Sequence, residues 1–322
     1  MTKKVVFVGG TSYSGSTFFH LTLANDPAGF AVGEVKHLFR PTKERHAQPT
    51  WTCGCGDLTC DLWSRVKRNG ETRLYKTIFE IHPEVEFIVD ASKNVVWIDD
   101  QTANLKRQGI EARSIVIWKT LAEFAHSLQK RNRLGKKGGA ELASWAQYHR
   151  NFYSFVQDFR AVKYAEYAHE QAAVLQTVAE VLGIPYFEGK ERYWEKTHHA
   201  LGGNLSSRIH LYSKESDRYQ DVQRRAQGHR SDLGSSDANY RQVYYENPNG
   251  ETVQTHVAAL RQELPYLDQI EEMLTAHDVR NNTGAQAHEW PELRLGAFDY
   301  RMKQLRQFTR SRIGKIRFAQ SQ

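Results

Sequence analysis

The 322-residue chain predicts an α/β fold, a parallel β-sheet flanked by helices. Two observations carry that expectation. Residues 5–9, 86–90, 114–118 and 160–164 are short apolar runs rich in β-branched side chains, without the polar alternation of a half-exposed strand. Strands buried on both faces read this way. Helical patterns follow these runs, and strand–helix alternation is what a parallel sheet with crossover helices produces.

Each element has its own signal. The first strand starts almost at once. Lys3 and Lys4 precede only four apolar residues before Gly9-Gly10, too short for the core of a secretory leader, so a cytoplasmic protein is expected. A helix over 16–25 follows, stopped by Asp26-Pro27. Residues 40–66 read as a loop-rich insertion holding all three cysteines. After the third strand, Leu121, Phe124, Ala125 and Leu128 recur at i, i+3, i+4 and i+7, one face of a helix. A glycine-rich turn over 135–139 precedes a helix bearing Trp145, Tyr148, Phe152 and Phe155. The last strand leads to a helix over 171–182, with Val174, Leu175, Val178, Val181 and Leu182 on one face, Gly183 as its cap and Pro185 as its stop. Residues 213–250 are polar and turn-rich and read as a second insertion, a mobile surface segment or lid.

Composition narrows the class. With 40% hydrophobic residues, 7 Trp, 15 Tyr and 15 Phe, the chain can build a core and is not disordered throughout. No run approaches the ~18 apolar residues of a membrane span. Three cysteines are too few for a disulfide scaffold. The net charge of +7 sits wholly in residues 294–322, which carry eight basic residues and one acid. The body is balanced, so a nucleic-acid-coating domain is not expected. A division into 1–275, the α/β domain, and 276–322, a basic helical tail, follows. In that tail Phe298, Met302, Leu305, Phe308, Ile313 and Ile316 recur at near-helical spacing. The segment reads either as a peripheral contact with an anionic membrane or as a helix packed on its own core or on a second subunit of a homodimer.

The most informative stretch is Gly9-Gly10-Thr11-Ser12-Tyr13-Ser14-Gly15-Ser16-Thr17 between the first strand and its helix. Small residues let the backbone wrap an anion, and successive N–H groups and the helix N-terminus point at it. A Walker A loop would place Lys after Gly15, where Ser16 stands, so a metal-dependent NTPase is disfavoured.

From this turn onward the chain resembles the PAPS-dependent sulfotransferases (PAPS, 3′-phosphoadenosine 5′-phosphosulfate). Residues 10–19, GTSYSGSTFF, resemble the phosphosulfate loop of bacterial members. Further motifs follow in the family's order: Gly33-Glu34-Val35-Lys36-His37-Leu38, Cys53-Gly54-Cys55-Gly56 with Cys60 and Trp63, and Val89-Asp90-Ala91-Ser92-Lys93. Then come Ile117-Trp118-Lys119 through Ser127, Val162 through Gly183, and His198-His199 with Gly203-Asn204 and Arg208. The match spans roughly residues 5–210. It implies a P-loop-NTPase-like sheet, PAPS as donor with PAP as product, and a hydroxyl- or amine-bearing acceptor that is a small molecule, a carbohydrate or lipid-like. Two departures stand out. Tyr13 replaces the loop's usual cation, and Lys119-Thr120-Leu121 replaces Arg-Asp-Pro, keeping the charge at Lys119 without the bidentate fork.

In-line sulfuryl transfer makes the demands of phosphoryl transfer, where positioning and electrostatics dominate. Ser12, Tyr13, Ser14, Gly15, Ser16 and Thr17 are the expected cradle. Lys93 is expected to replace the missing cation. Glu34 is the expected general base with its pKa raised by partial burial, and His37 is the alternative. Lys119, Ser127 and Arg208 are expected to grip the 3′-phosphate. The chemistry requires no metal, and none is assigned. Cys53, Cys55 and Cys60 read as reduced thiols or a local disulfide; a zinc site would take His46 as its fourth ligand, at a tighter spacing than zinc usually has. His198-His199 reads as a polar loop. Two other classes stay open: a nucleotide-dependent phosphotransferase, and a non-catalytic PAP- or nucleotide-binding protein.

Overall fold

A computed structural model describes residues 2–42, 53–57, 59–135, 139–156, 158–227, 248, 250–281 and 290–294. Five strands form one parallel sheet: β1 (Lys4–Gly9), β2 (Gly29–Gly33), β3 (Phe87–Asp90), β4 (Glu111–Trp118) and β5 (Arg160–Lys163), in the order β2-β3-β1-β4-β5. Helices α1 (Ser16–Leu23), α2 (Lys36–Phe39), α3 (Leu62–Asn69), α4 (Leu74–Ile81), α5 (Val95–Arg107), α6 (Leu121–Gln129) and α7 (Ala140–Phe155) precede β5. After it come α8 (Tyr164–His169), α9 (Gln171–Leu182), α10 (Leu205–Arg208), α11 (Asp217–Gln227), α12 (Glu251–Glu263) and α13 (Leu267–Ala276). Among the described residues no helix is long and apolar enough to cross a membrane.

The alternation of side chains along β1 divides the core. Val6 and Val8 face α1 and α9, meeting Phe19, Leu21, Val174 and Val178. Val5 and Phe7 face the other way, into the cluster that holds Tyr75, Trp97, Phe124 and Trp145. Val5 through Val8 have no exposed surface, and each such side chain contributes about 1.5–3 kcal/mol of burial. The chain leaves β1 toward β2 on one side and returns from β3 to β4 on the other. The crevice beside the carboxyl end of β1 is therefore the topological switch point, where open α/β sheets place ligands.

The four expected strands are present, within a few residues of their expected ends. A fifth, β2, was not among them: its sequence GFAVG is short and flanked by glycines, so it carries little β-propensity, yet every residue in it is buried. The helix expected over 171–182 has those bounds, and Gly183 closes it in the left-handed region at φ 58°. Residues 40–66 are not all loop, because α3 begins at Leu62. In the second insertion α11 spans Asp217–Gln227, while 228–247 lie outside the described residues. The tail after Arg294 also lies outside them. The chain just past 275 pairs with β5: the Ala161 N–H donates to His277 O at 2.8 Å and Val279 N–H to Ala161 O at 3.0 Å. Trp290 and Leu293 are buried in the same core cluster as β1.

Candidate active site

The parallel sheet delivers the carboxyl ends of all five strands to one edge, and the turn from Gly10, Glu34, Lys93 and Lys119 follow β1, β2, β3 and β4 there. The turn after β1 is held in a conformation that only small residues permit. Gly10 has φ 145°, and a Cβ on it would stand 2.5 Å from Ser14 Oγ and 2.6 Å from the Ile117 carbonyl oxygen. Gly15 has φ 90°, and a Cβ there would stand 2.3 Å from the Tyr164 ring. Tyr13 sits at φ 68° despite its side chain, a cost of ~1–3 kcal/mol that surrounding contacts must offset. Arg133 donates to its hydroxyl at 2.6 Å, and the Arg131 guanidinium lies 4.1 Å from the ring centroid. Two cations thus attend Tyr13.

Inside the turn the Thr11 and Ser14 hydroxyls are buried with no hydrogen-bond partner among the described residues. Both lie at the N-terminus of α1, whose first turn presents N–H groups and positive dipole. Buried polar atoms are nearly always partnered, so this turn suits an oxyanion that accepts from hydroxyls and N–H groups together. Thr17 is engaged differently: its Oγ1 accepts the Asn204 N–H at 3.0 Å, tying the turn to the 203–212 segment. Ser12 is exposed at the rim.

Glu34 and Lys93 meet directly. Lys93 Nζ donates to Glu34 Oε1 at 2.9 Å, with both side chains about one-fifth exposed. Glu34 follows β2, and its N–H donates to Leu201 O at 2.6 Å. Lys93 follows β3 at φ 61°. Its turn is built on Asp90, which accepts from the Ser92 N–H at 2.6 Å, Tyr75 Oη at 2.7 Å and Trp97 Nε1 at 2.9 Å. Ser92 Oγ then accepts the Lys36 N–H at 3.0 Å, so the two strand ends are stitched together. Burial alone would raise the Glu34 carboxyl, but Lys93, helped by His37 and His20, outweighs it and holds the group below its ordinary range. This corrects the expectation of a raised pKa: Lys93 keeps Glu34 ionised. His37 lies beside the pair and adds to its field.

Lys119 and Ser127 also meet, Nζ donating to Oγ at 3.2 Å, with Lys119 Nζ 4.3 Å from the Tyr164 ring centroid. Ser127 Oγ donates in turn to Glu123 O at 2.9 Å. The N-terminus of α6 between them is fixed by a capping box of Thr120 and Glu123. Arg208 is buried and its guanidinium donates to Tyr212 Oη at 3.3 Å. Its described hydrogen bond is to Tyr212, within its own segment, and not to Lys119 or Ser127.

Sequence reasoning missed four contributors. Tyr148, read only as a core aromatic, accepts the Gly10 N–H at 2.7 Å and donates to Lys93 O at 2.9 Å, so one hydroxyl sets the distance between turn and lysine. Arg131 and Arg133 follow α6 and were not marked. His20 lies one helical turn beyond Ser16, fully buried, its Nδ1 3.2 Å from Ser16 O. Burial lowers it to about 4, with Lys93 acting the same way, so it is neutral at pH 7. A polar ring within STFFHLTL was the available signal. In the cysteine segment, His199, read as loop, stands with Cys53, Cys55 and Cys60; His46 lies outside the described residues.

No protein-family model matches the chain, and no curated protein matches it. Solved structures are similar to it, two of them sulfotransferase domains. One is the sulfotransferase domain from the curacin biosynthetic pathway, at 14% identity and a TM-score of 0.45, covering 81% of this chain and 98% of that one. The other is the sulfotransferase domain from the Synechococcus PCC 7002 olefin synthase, at 16% identity and a TM-score of 0.46, covering 80% of this chain and 94% of that one.

Proposed function

We propose that this protein is a sulfotransferase that moves a sulfuryl group from PAPS to a hydroxyl, or less readily an amine, of a small-molecule, carbohydrate or lipid-like acceptor. The observation that carries the reading is the turn after β1, where two buried hydroxyls with no partner among the described residues meet a helix N-terminus that lacks the Walker lysine. The order of the motifs from residue 10 to residue 208 supports it, as does the convergence of Glu34, Lys93, Lys119 and Ser127 on the strand ends.

When bound, PAPS supplies an activated sulfuryl group. The hydroxyls of Thr11 and Ser14 and the N–H groups of residues 15–17 would bind its oxygens. Lys93 neutralises the leaving phosphate, and in turning to that anion it loosens its hold on Glu34. The Glu34 carboxylate then takes the proton of the acceptor hydroxyl as the acceptor oxygen bonds to sulfur and the bond from sulfur to the phosphate oxygen breaks. Lys119 and Ser127 hold the 3′-phosphate as donors, with Arg131 adding charge from the same helix end.

Thermal-shift titration with PAP, ADP and ATP, each with and without Mg²⁺, tests the reading. A ligand at 100 times its dissociation constant adds about 2.7 kcal/mol to a two-state fold. The expected result is stabilisation by PAP that needs no metal and is much weaker with ADP. Stabilisation only by ATP with Mg²⁺ would overturn it in favour of a phosphotransferase. PAP binding without turnover on any acceptor of these classes would leave a nucleotide-binding protein instead.

A further inference from the structure

Away from the strand-end site, residues from two distant segments converge. Cys53, Cys55 and Cys60 lie on the segment before α3, and His199 lies 146 residues beyond Cys53. The three Sγ atoms and a ring nitrogen of His199 all fall within 4.8 Å of one another. His199 Nδ1 is 3.2 Å from Cys53 Sγ and 3.6 Å from Cys60 Sγ. A tetrahedral zinc with bonds of about 2.3 Å to sulfur and about 2.0 Å to nitrogen requires ligand–ligand spacings of roughly 3.5–3.8 Å. The cluster is already near that geometry.

The surroundings hold the donors in place from the backbone up. Cys53 forms an antiparallel bridge with Leu201, and the Gly54 N–H donates to Ala200 O at 2.9 Å. A Cβ on Gly54 would stand 2.8 Å from His198 O, so the close approach of the two strands needs glycine there. Trp63 Nε1 donates to His199 O at 2.9 Å. The His199 ring stacks on Phe30, nearly parallel at 5.8 Å. Its Nδ1 edge is thereby turned to the sulfurs. Cys53 is buried and the other two thiols are half-buried.

The geometry points to a structural zinc site formed by Cys53, Cys55, Cys60 and His199. Three thiolates and one imidazole complete a tetrahedron and leave no open position, the pattern of sites that hold a fold together and do no chemistry. The thiol protons leave as the metal binds. The staple would join the cysteine segment to residues 198–201. Leu201 O accepts the Glu34 N–H, so the metal would brace one side of the active site without touching the reacting atoms. The assignment does not depend on the sulfotransferase reading.

The full chain, purified with no added metal or chelator, should carry one zinc per molecule by elemental analysis. Its three thiols should resist alkylation until a strong chelator is present. Removal of the metal should lower the melting temperature, and zinc should restore it. Cobalt refilled into the site should give the intense visible bands of a tetrahedral ion together with thiolate-to-cobalt charge transfer. Cys55→Ser should weaken metal retention, and His199→Cys should keep it. Because metal content and thiol protection are read on the unaltered protein, a variant that fails to fold does not spare the proposal. Absence of stoichiometric zinc with freely reactive thiols, or a disulfide among the three cysteines, would overturn it, as would a cobalt spectrum without thiolate charge transfer.

Discussion

The Glu34–Lys93 ion pair concentrates the proposed chemistry in two side chains 2.9 Å apart. A carboxyl held below its ordinary range is ionised at all working pH values, so it can accept a proton only when the lysine is drawn away. In Lys93→Met the largest lowering influence is lost and burial dominates, so the Glu34 pKa should rise. The acid limb of kcat/KM should then move to higher pH, and kcat should fall about 10²–10³-fold, as on loss of one transition-state donor. An unmoved acid limb would remove Glu34 as the group that titrates. Tyr148→Phe isolates positioning from chemistry. The variant leaves the Gly10 N–H and the Lys93 carbonyl without their shared hydroxyl, which should cost about 1–3 kcal/mol of stability. PAP affinity should fall while the pH profile keeps its shape. A shifted profile in this variant would mean that Tyr148 takes part in proton transfer.

At the scale of elements, α6 is the piece whose placement matters most to the proposed nucleotide recognition, because Lys119 precedes it and Ser127 lies within it. Its first turn depends on Thr120 accepting the Glu123 N–H and on Glu271 of α13 accepting the Leu121 N–H at 2.9 Å. Thr120→Ala should cost about 1 kcal/mol and reduce the preference for PAP over its analogue lacking the 3′-phosphate; equal preference in both proteins would place the phosphate elsewhere. Two glycines in the left-handed region offer a contrast, Gly15 in the turn ahead of α1 and Gly183 at the end of α9. Gly15→Ala forces a Cβ into the Tyr164 ring at a left-handed position and should abolish PAP binding. Gly183→Ala meets only the flexible end of Lys4 and should cost about 1 kcal/mol with binding intact. These elements also show what a sequence makes legible. The strand, turn and helix from β1 to α1 and the whole of α9 are visible because local signals agree with the tertiary result. β2 is not, because GFAVG is strand only by virtue of its neighbour β3. The start of α3 was hidden within a loop-like stretch, since its only buried residues are Leu62, Trp63 and Val66. The Glu34–Lys93 contact was half legible, in that both residues were marked but as separate parts. The meeting of His199 with cysteines about 140 positions away has no local signature at all.

The molecule as a whole buries imidazoles that cannot readily take up protons, and this sets its tolerance of acid. His149 is fully enclosed beside Trp145 and Tyr148, neither ring nitrogen has a hydrogen-bond partner among the described residues, and burial lowers it to about 3. His20 is lowered to about 4. In the unfolded chain both titrate near the ordinary histidine value of about 6.5. Between that value and about 4.5 the unfolded state therefore carries more protons than the folded one, and stability falls as pH falls. Each group contributes up to ~1.4 kcal/mol per pH unit, or about 2.7 kcal/mol per unit for the two. Below that window carboxylates join in. Glu34, lowered in the fold, adds to the loss, whereas Asp90, raised by burial against the opposing pull of Ser92, Tyr75 and Trp97, works against it. The histidine contribution is thus cleanest above the carboxylate range. Urea unfolding at pH 6.5, 5.5 and 4.5 should show stability dropping steeply across the series. His198 is likewise lowered to about 3 by burial and adds to the same loss, so His149→Leu, which replaces the ring by an apolar side chain in an apolar setting, should lower the slope by up to ~1.4 kcal/mol per pH unit, with the PAP affinity at pH 7 little changed. A slope identical in the two proteins would mean that the folded protein accepts a proton at position 149, and the core between α7 and the sheet would then have to open far more easily than its packing implies.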